Sequence, residues 1–209
     1  MRWKKKASEL VERLRNEGYL KNKEIINAFL STPRHEFVTP SHIDEAYNDY
    51  PLPLFGGQTI SAPHMVAFMT ELLEPKKTDK VLEIGSGSGY QAAILAKLVK
   101  FVYTIEVDQQ LARFAERNLS KTGIKNVKVI CGDGSKGYEK EAPYDKIIVT
   151  CASPEIFKAW KLQIKENGKI IVPVEKGVYQ ILTEVIKIGK NDFKVIEHTP
   201  CVFVPLRFA

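Results

Sequence analysis

Val81-Leu82-Glu83-Ile84-Gly85-Ser86-Gly87-Ser88-Gly89-Tyr90 runs from an apolar stretch into three alternate glycines. The apolar residues before the glycines read as a buried strand, and Tyr90 to Leu98 reads as the helix that follows. A glycine-rich turn between strand and helix lets a ligand come close to backbone amides at a nucleotide-sized crevice. The dinucleotide fingerprint would need glycine or alanine at position 90, and this chain has Tyr90, which argues against NAD or FAD.

Working outward, the same alternation recurs. Residues 101–108 form a second strand, 109–121 a helix, 126–134 a third strand, 144–151 a fourth, 155–164 a helix and 168–174 a fifth strand. Apolar strands alternating with helices predict a mostly parallel, doubly wound α/β sheet with helices on both faces. Residues 180–188 and 194–204 instead predict an antiparallel pair closing the sheet. Upstream, Pro63 suits a helix first turn, with Met65, Val66, Phe68, Met69, Leu72 and Leu73 as apolar positions. Leu10, Val11 and Leu14 before Gly18, and Ile25, Ile26, Phe29 and Leu30 before Pro33, mark two amphipathic helices of an N-terminal cap. Residues 33–63 have no sustained period and read as a long loop of the kind that serves as a lid or binding segment. The organisation expected is one domain over 1–209, with 1–62 as helical cap and substrate loop and 63–209 as cofactor-binding α/β core.

Composition narrows the function. The chain has 209 residues, 44% hydrophobic and 27% charged, which is enough apolar material for a real core. Its net charge of +6 is scattered: residues 1–60 carry 9 basic and 8 acidic side chains, and no basic stripe marks a nucleic-acid surface. Lys4-Lys5-Lys6 reads as a frayed terminus. Cys131, Cys151 and Cys201 are odd in number and widely spaced, so neither a disulfide framework nor a zinc site is encoded, and no metal is expected. No signal core or membrane span is visible, and the expected location is the cytoplasm.

Three acidic positions follow the strand ends. Glu83 precedes the first glycine by two residues, Glu106 ends the second strand about 20 residues beyond the glycines, and Asp133 stands before Gly134 after the third. Alone, each has a structural explanation in a tight turn or an exposed strand end. Together they resemble the cofactor site of class I S-adenosylmethionine-dependent methyltransferases, which have a Rossmann-like fold. That resemblance implies Glu83, Gly85, Ser86 and Gly87 around the cofactor, Glu106 on the ribose hydroxyls, and Asp133 with Gly134 at the adenine.

The acceptor is a separate question. The segments PRHEFV, PLPLFGGQTISAPHMVAFM, VLEIGSGSGYQAAILA, GDGSKGY, APYDKIIVT, KIIVPV and FVPL resemble the protein-L-isoaspartate (D-aspartate) O-methyltransferases over nearly the whole chain, and GQTISAPHM at 57–65 is the most specific of them. The resemblance implies methyl transfer from S-adenosylmethionine to the free carboxylate of L-isoaspartyl or D-aspartyl residues in damaged proteins and peptides, leaving S-adenosylhomocysteine. The ester then cyclises to a succinimide that hydrolyses partly to aspartate. It implies Ser61 as the active-site serine, orienting the acceptor carboxylate; on spacing alone, capping the helix that Pro63 opens is the favoured role, and the two roles can coexist. Thr59 and Ile60 would line the same wall and His64 the cofactor edge. A monomer is expected.

Two departures stand out: Ser153 to Lys158 differ from the proline-bearing segment usual after the fourth strand, and Arg207 follows FVPL directly. The alternative is a methyltransferase acting on nucleic acid or a small molecule. Against the former, Thr150-Cys151-Ala152-Ser153 replaces the tetrad of amino-directed base methylases, and Cys151 reads as a buried small hydrophobe.

Overall fold

The computed structural model describes residues 2–209. A seven-stranded sheet in the order β5-β4-β3-β6-β7-β8-β9 organises the chain, with β3 (Lys80–Ile84), β4 (Phe101–Glu106), β5 (Val127–Cys131), β6 (Tyr144–Val149) and β7 (Ile164–Lys176) mutually parallel. β8 (Tyr179–Lys187) runs antiparallel to β7 and to β9 (Phe193–Cys201), and its pairing with β9 is the antiparallel pair that the sequence predicts. The chain winds outward from β3 to β5 and then returns to lay β6 on the other side of β3. The strand order therefore reverses at β3, directly before the three glycines, where open α/β sheets form their ligand crevice.

Two apolar clusters cover the two faces. One joins the cap helices α1 (Arg2–Asn16) and α2 (Lys23–Ser31) to α3 (Pro63–Leu73), α4 (Tyr90–Ala96) and the sheet through Leu14, Phe29, Phe37, Met69 and Ile94. The other gathers Leu82, Ile147, Trp160 and Ile170 beneath α6 (Lys158–Gln163). Local chemistry fixes the helix starts: Asn22 accepts the Glu24 and Ile25 amides of α2, and Asp108 those of Gln110 and Leu111 at α5 (Gln109–Lys121).

Four sequence expectations need correction. Lys4-Lys5-Lys6 is not a frayed tail but part of α1, whose Leu10, Val11 and Leu14 are buried and hold the first turns in place. Residues 33–63 are not structureless: Arg34–Phe37 and Pro40–His42 form 3-10 turns, and β1 (Leu52–Pro53) pairs antiparallel with β2 (Thr59–Ile60). Buried Arg34, Phe37, Ala46 and Leu52 anchor that segment. The helix expected at 155–164 begins only at Lys158, because Ser153 is held extended against β7: its amide donates to Pro173 O at 2.8 Å, and its carbonyl accepts from Glu175 N at 2.9 Å. Finally, α4 stops at Ala96 rather than Leu98.

The turn that opens the crevice depends on Gly85, where φ is +95° and an added Cβ would lie 2.6 Å from Thr150 Oγ1. Gly85→Ala is therefore expected to lower the unfolding free energy by about 1–3 kcal/mol, read by denaturant titration.

Candidate active site

The glycine loop spends its amides inward. Gly85 N and Ser86 N both donate to Ile105 O, at 2.8 and 3.1 Å, and Gly87 N donates to Glu106 Oε2 at 2.9 Å. Ser86 Oγ meets Thr104 Oγ1 at 2.6 Å, and Thr150 Oγ1 donates to Gly85 O at 2.5 Å. A loop whose amides are already taken is a poor cradle for phosphate, which agrees with Tyr90 occupying the third-glycine position.

One cavity opens above this loop. Thr59, Ile60 and Ser61 line it together with Glu83, Gly85, Ser86, Gly87, Glu106 and Gly134, so nearly all the predicted site residues converge although they come from four separate stretches of chain. The strand pairing explains the convergence: Glu83 sits beside Thr104 of β4, Glu106 ends β4 opposite Cys131, and β2 leads directly into Ser61. On the far wall, Ala152 N donates to Val204 O at 2.8 Å and Leu206 N to Ala152 O at 2.7 Å, laying the C-terminal segment against the end of β6.

Charge is the distinctive property of this cavity. Glu83 is wholly buried, and neither carboxylate oxygen has a hydrogen-bond partner. Burial, opposed by the neighbouring Thr104 hydroxyl and reinforced by the nearby negative charge of Glu106, pushes its pKa up to about 8. Glu106 is raised less: burial lifts it, while amides of Gly87 and Asp108 donate to its two oxygens and favour the anion. Two carboxyls at the floor of a crevice, one without any partner, make a site for a cationic ligand. S-adenosylmethionine fits that requirement, because it carries an ammonium and a sulfonium and no phosphate. Cys151 also lines the cavity, but burial and the two glutamates push its thiol up to about 12, which removes it as a nucleophile at neutral pH.

Two predicted residues lie outside the lining. His64 turns to Asp49, whose Oδ1 accepts both the His64 backbone amide at 2.8 Å and its ring Nδ1 at 3.0 Å, and the Tyr19 ring packs against it. The hydrogen bond to Asp49 raises the imidazole pKa, with burial opposing. Asp133 is drawn into its own turn: Oδ1 accepts the Ser135 amide and hydroxyl at 3.0 and 2.6 Å, and Oδ2 lies 3.4 Å from Lys136 Nζ. Ser61 does not cap α3. The N-cap is Ala62, the cap comes from Asp49 across the loop, and among the described residues the Ser61 hydroxyl has no hydrogen-bond partner. Sequence reasoning gave no role to Arg34, which is fully buried and donates to the Ser61 carbonyl; an isolated arginine in an aperiodic segment carries no burial signal.

The raised Glu83 pKa has a direct consequence for the ligand-free protein. The carboxyl is neutral below about 8 and must ionise without a partner above it, so its contribution to stability is present at acid pH and lost as pH rises through about 8. Glu83→Gln should therefore melt close to the wild type at pH 5 and above it at pH 9, measured by calorimetry. Equal melting at both pH values would contradict the unpartnered burial.

The family model for protein-L-isoaspartate(D-aspartate) O-methyltransferase matches residues 5–208. A protein-L-isoaspartate O-methyltransferase of Methanopyrus kandleri is 48% identical over 208 residues, covering 98% of this chain and 92% of the relative. A solved protein-L-isoaspartate O-methyltransferase superposes with a TM-score of 0.87 at 31% identity, over 95% of this chain and 65% of its own. A Plasmodium falciparum chain described as the same enzyme, in complex with S-adenosyl-L-homocysteine, superposes at 0.84 with 26% identity over 95% and 97% of the two chains. The chain belongs to the protein-L-isoaspartate(D-aspartate) O-methyltransferase family.

Proposed function

We propose that Ser61 orients the acceptor carboxylate in the reaction of this family, transfer of the S-adenosylmethionine methyl group to the free carboxylate of an L-isoaspartyl or D-aspartyl residue in a damaged protein or peptide. The observation that carries this reading is the placement of Ser61, with an unpartnered hydroxyl, on the same cavity wall as the glycine loop and the two glutamates.

The bound cofactor supplies an electrophilic methyl group on its sulfonium. The acceptor carboxylate, with a reference pKa of about 4, is already ionised at neutral pH, so no residue has to act as general base. The protein's task is to align an anion and strip it of water in a narrow crevice. Ser61 Oγ is assigned to donate to one acceptor oxygen, with Thr59 and Ile60 walling the slot. Glu83 is assigned to the cofactor's positive charge, Gly85, Ser86 and Gly87 to its close approach, and Glu106, with lone pairs remaining after its amide bonds, to the ribose hydroxyls. Asp133 Oδ2, beside the lining Gly134, is assigned to the adenine amino group. His64, held by Asp49, supports the start of α3 rather than the cofactor edge.

In the same reading the chain acts as one domain, with 1–62 as cap and acceptor loop and 63–209 as cofactor core. It works as a cytoplasmic monomer on protein and peptide substrates rather than nucleic acid. Among the described residues, no helix is long and apolar enough to cross a membrane.

Presented with one peptide in aspartyl and isoaspartyl forms and labelled cofactor, the protein should methylate only the isoaspartyl form; equal labelling of both would refute the acceptor assignment. Ser61→Ala should lower kcat while leaving cofactor affinity near wild type, and unchanged kcat would remove Ser61 from the chemistry. Glu106→Ala should weaken cofactor binding by about 1.5–3 kcal/mol in calorimetry, the scale of hydrogen bonds to a charged group.

A further inference from the structure

Arg34 is the most anomalous side chain outside the cavity. Its guanidinium is fully buried, with Nε donating to Ala46 O at 2.8 Å and one terminal nitrogen donating to Ser61 O at 2.9 Å. Its central carbon lies 4.8 Å from the centroid of the Tyr90 ring, and its other terminal nitrogen, Nη1, has no hydrogen-bond partner among the described residues. Burial lowers its pKa, against the pull of Tyr90, through its charge and its hydroxyl, and of Asp49. Burying a cation without a carboxylate in contact, and leaving an N–H unsatisfied, costs stability that a well-packed apolar residue would not. Fold stability alone therefore does not account for it.

What the guanidinium touches suggests its purpose. Ala46 belongs to the cap loop, Ser61 to the acceptor loop, and Tyr90 is the first residue of α4 after the glycine loop. A bond to the Ser61 carbonyl fixes the peptide plane after Ser61, while β2 fixes the residues before it and Asp49 holds the His64 amide beyond it. The Ser61 Cα–Cβ direction is thus pinned from both sides and referred to the glycine loop through Tyr90. Resting on the orienting role given to Ser61 above, we propose that Arg34 is a positioning residue that aims the Ser61 hydroxyl at the acceptor carboxylate. Arg34 itself lies outside the cavity lining and touches neither substrate nor cofactor.

A double-mutant cycle between Arg34 and Ser61 tests this, with kcat and KM on an isoaspartyl peptide, S-adenosylhomocysteine affinity and melting temperature as readouts. Arg34→Lys keeps the charge and stem but replaces the planar fork, whose separate Nε and Nη donors reach the two carbonyls, with a single nitrogen; if it fails to fold, the uncharged Arg34→Gln replaces it. The expected result is a fall in kcat of about tenfold to a hundredfold, the scale of a small misplacement of a reacting group. S-adenosylhomocysteine affinity should stay within about twofold, and in the Ser61→Ala background the Arg34 substitution should cost no further kcat. Multiplying losses, or a matching fall in S-adenosylhomocysteine affinity, would make Arg34 merely structural and overturn the proposal while leaving the role of Ser61 intact. Full turnover by Ser61→Ala alone would instead overturn the orienting role, and the bracing role with it.

Discussion

An unpaired carboxyl at the floor of the crevice sets the terms for everything around it. Glu83 lies under the glycine loop with no donor to satisfy it, and Glu106 stands at the neighbouring strand end with its charge only partly offset by amides. Such an arrangement costs stability in the ligand-free chain and recovers it when positive charge arrives. It also disfavours anionic cofactors, because a pyrophosphate would find few free amides and would keep Glu83 in its neutral form.

The acceptor half of the site obeys a complementary logic. A carboxylate approaching this floor would be repelled unless it were confined beside the donor's positive charge, so the acceptor must be held at a fixed point. The chain supplies that point from a short β-hairpin, β1–β2, whose last residues run into Ser61 and then a proline-initiated helix. Both polar anchors of this passage come from the segment preceding it, Arg34 on the Ser61 carbonyl and Asp49 on the His64 amide. The cap is thereby part of the site and not an appendage to it.

Most of the α/β core was legible in the sequence because its signals are local and periodic: apolar strands, a Pro63 helix start, glycines at a turn, and acidic residues at strand ends. The convergence of Glu83, Glu106, Gly134 and Ser61 followed from topology plus resemblance. What was not legible depended on distant partners. Residues 33–63 lack a period because their order comes from buried Arg34 and Phe37 and from pairing of two-residue strands, which no window detects. The late start of α6 reflects Ser153 bonding to β7, and the turning of His64 toward Asp49 reflects a contact 15 residues back along the chain. Asp133 illustrates a different limit: the same Asp-Gly pattern serves turn formation and ligand binding, and spacing cannot separate the two.

The claim that Glu83 is neutral until a cationic cofactor arrives can be tested by counting protons. S-adenosylmethionine would be titrated into the protein without acceptor at pH 7, in buffers of different ionisation enthalpy. With the carboxyl raised to about 8, binding should release close to one proton per site, and Glu83→Gln should abolish most of that release. Binding heats independent of buffer would mean that the carboxyl is already ionised or never ionises, and would contradict the account.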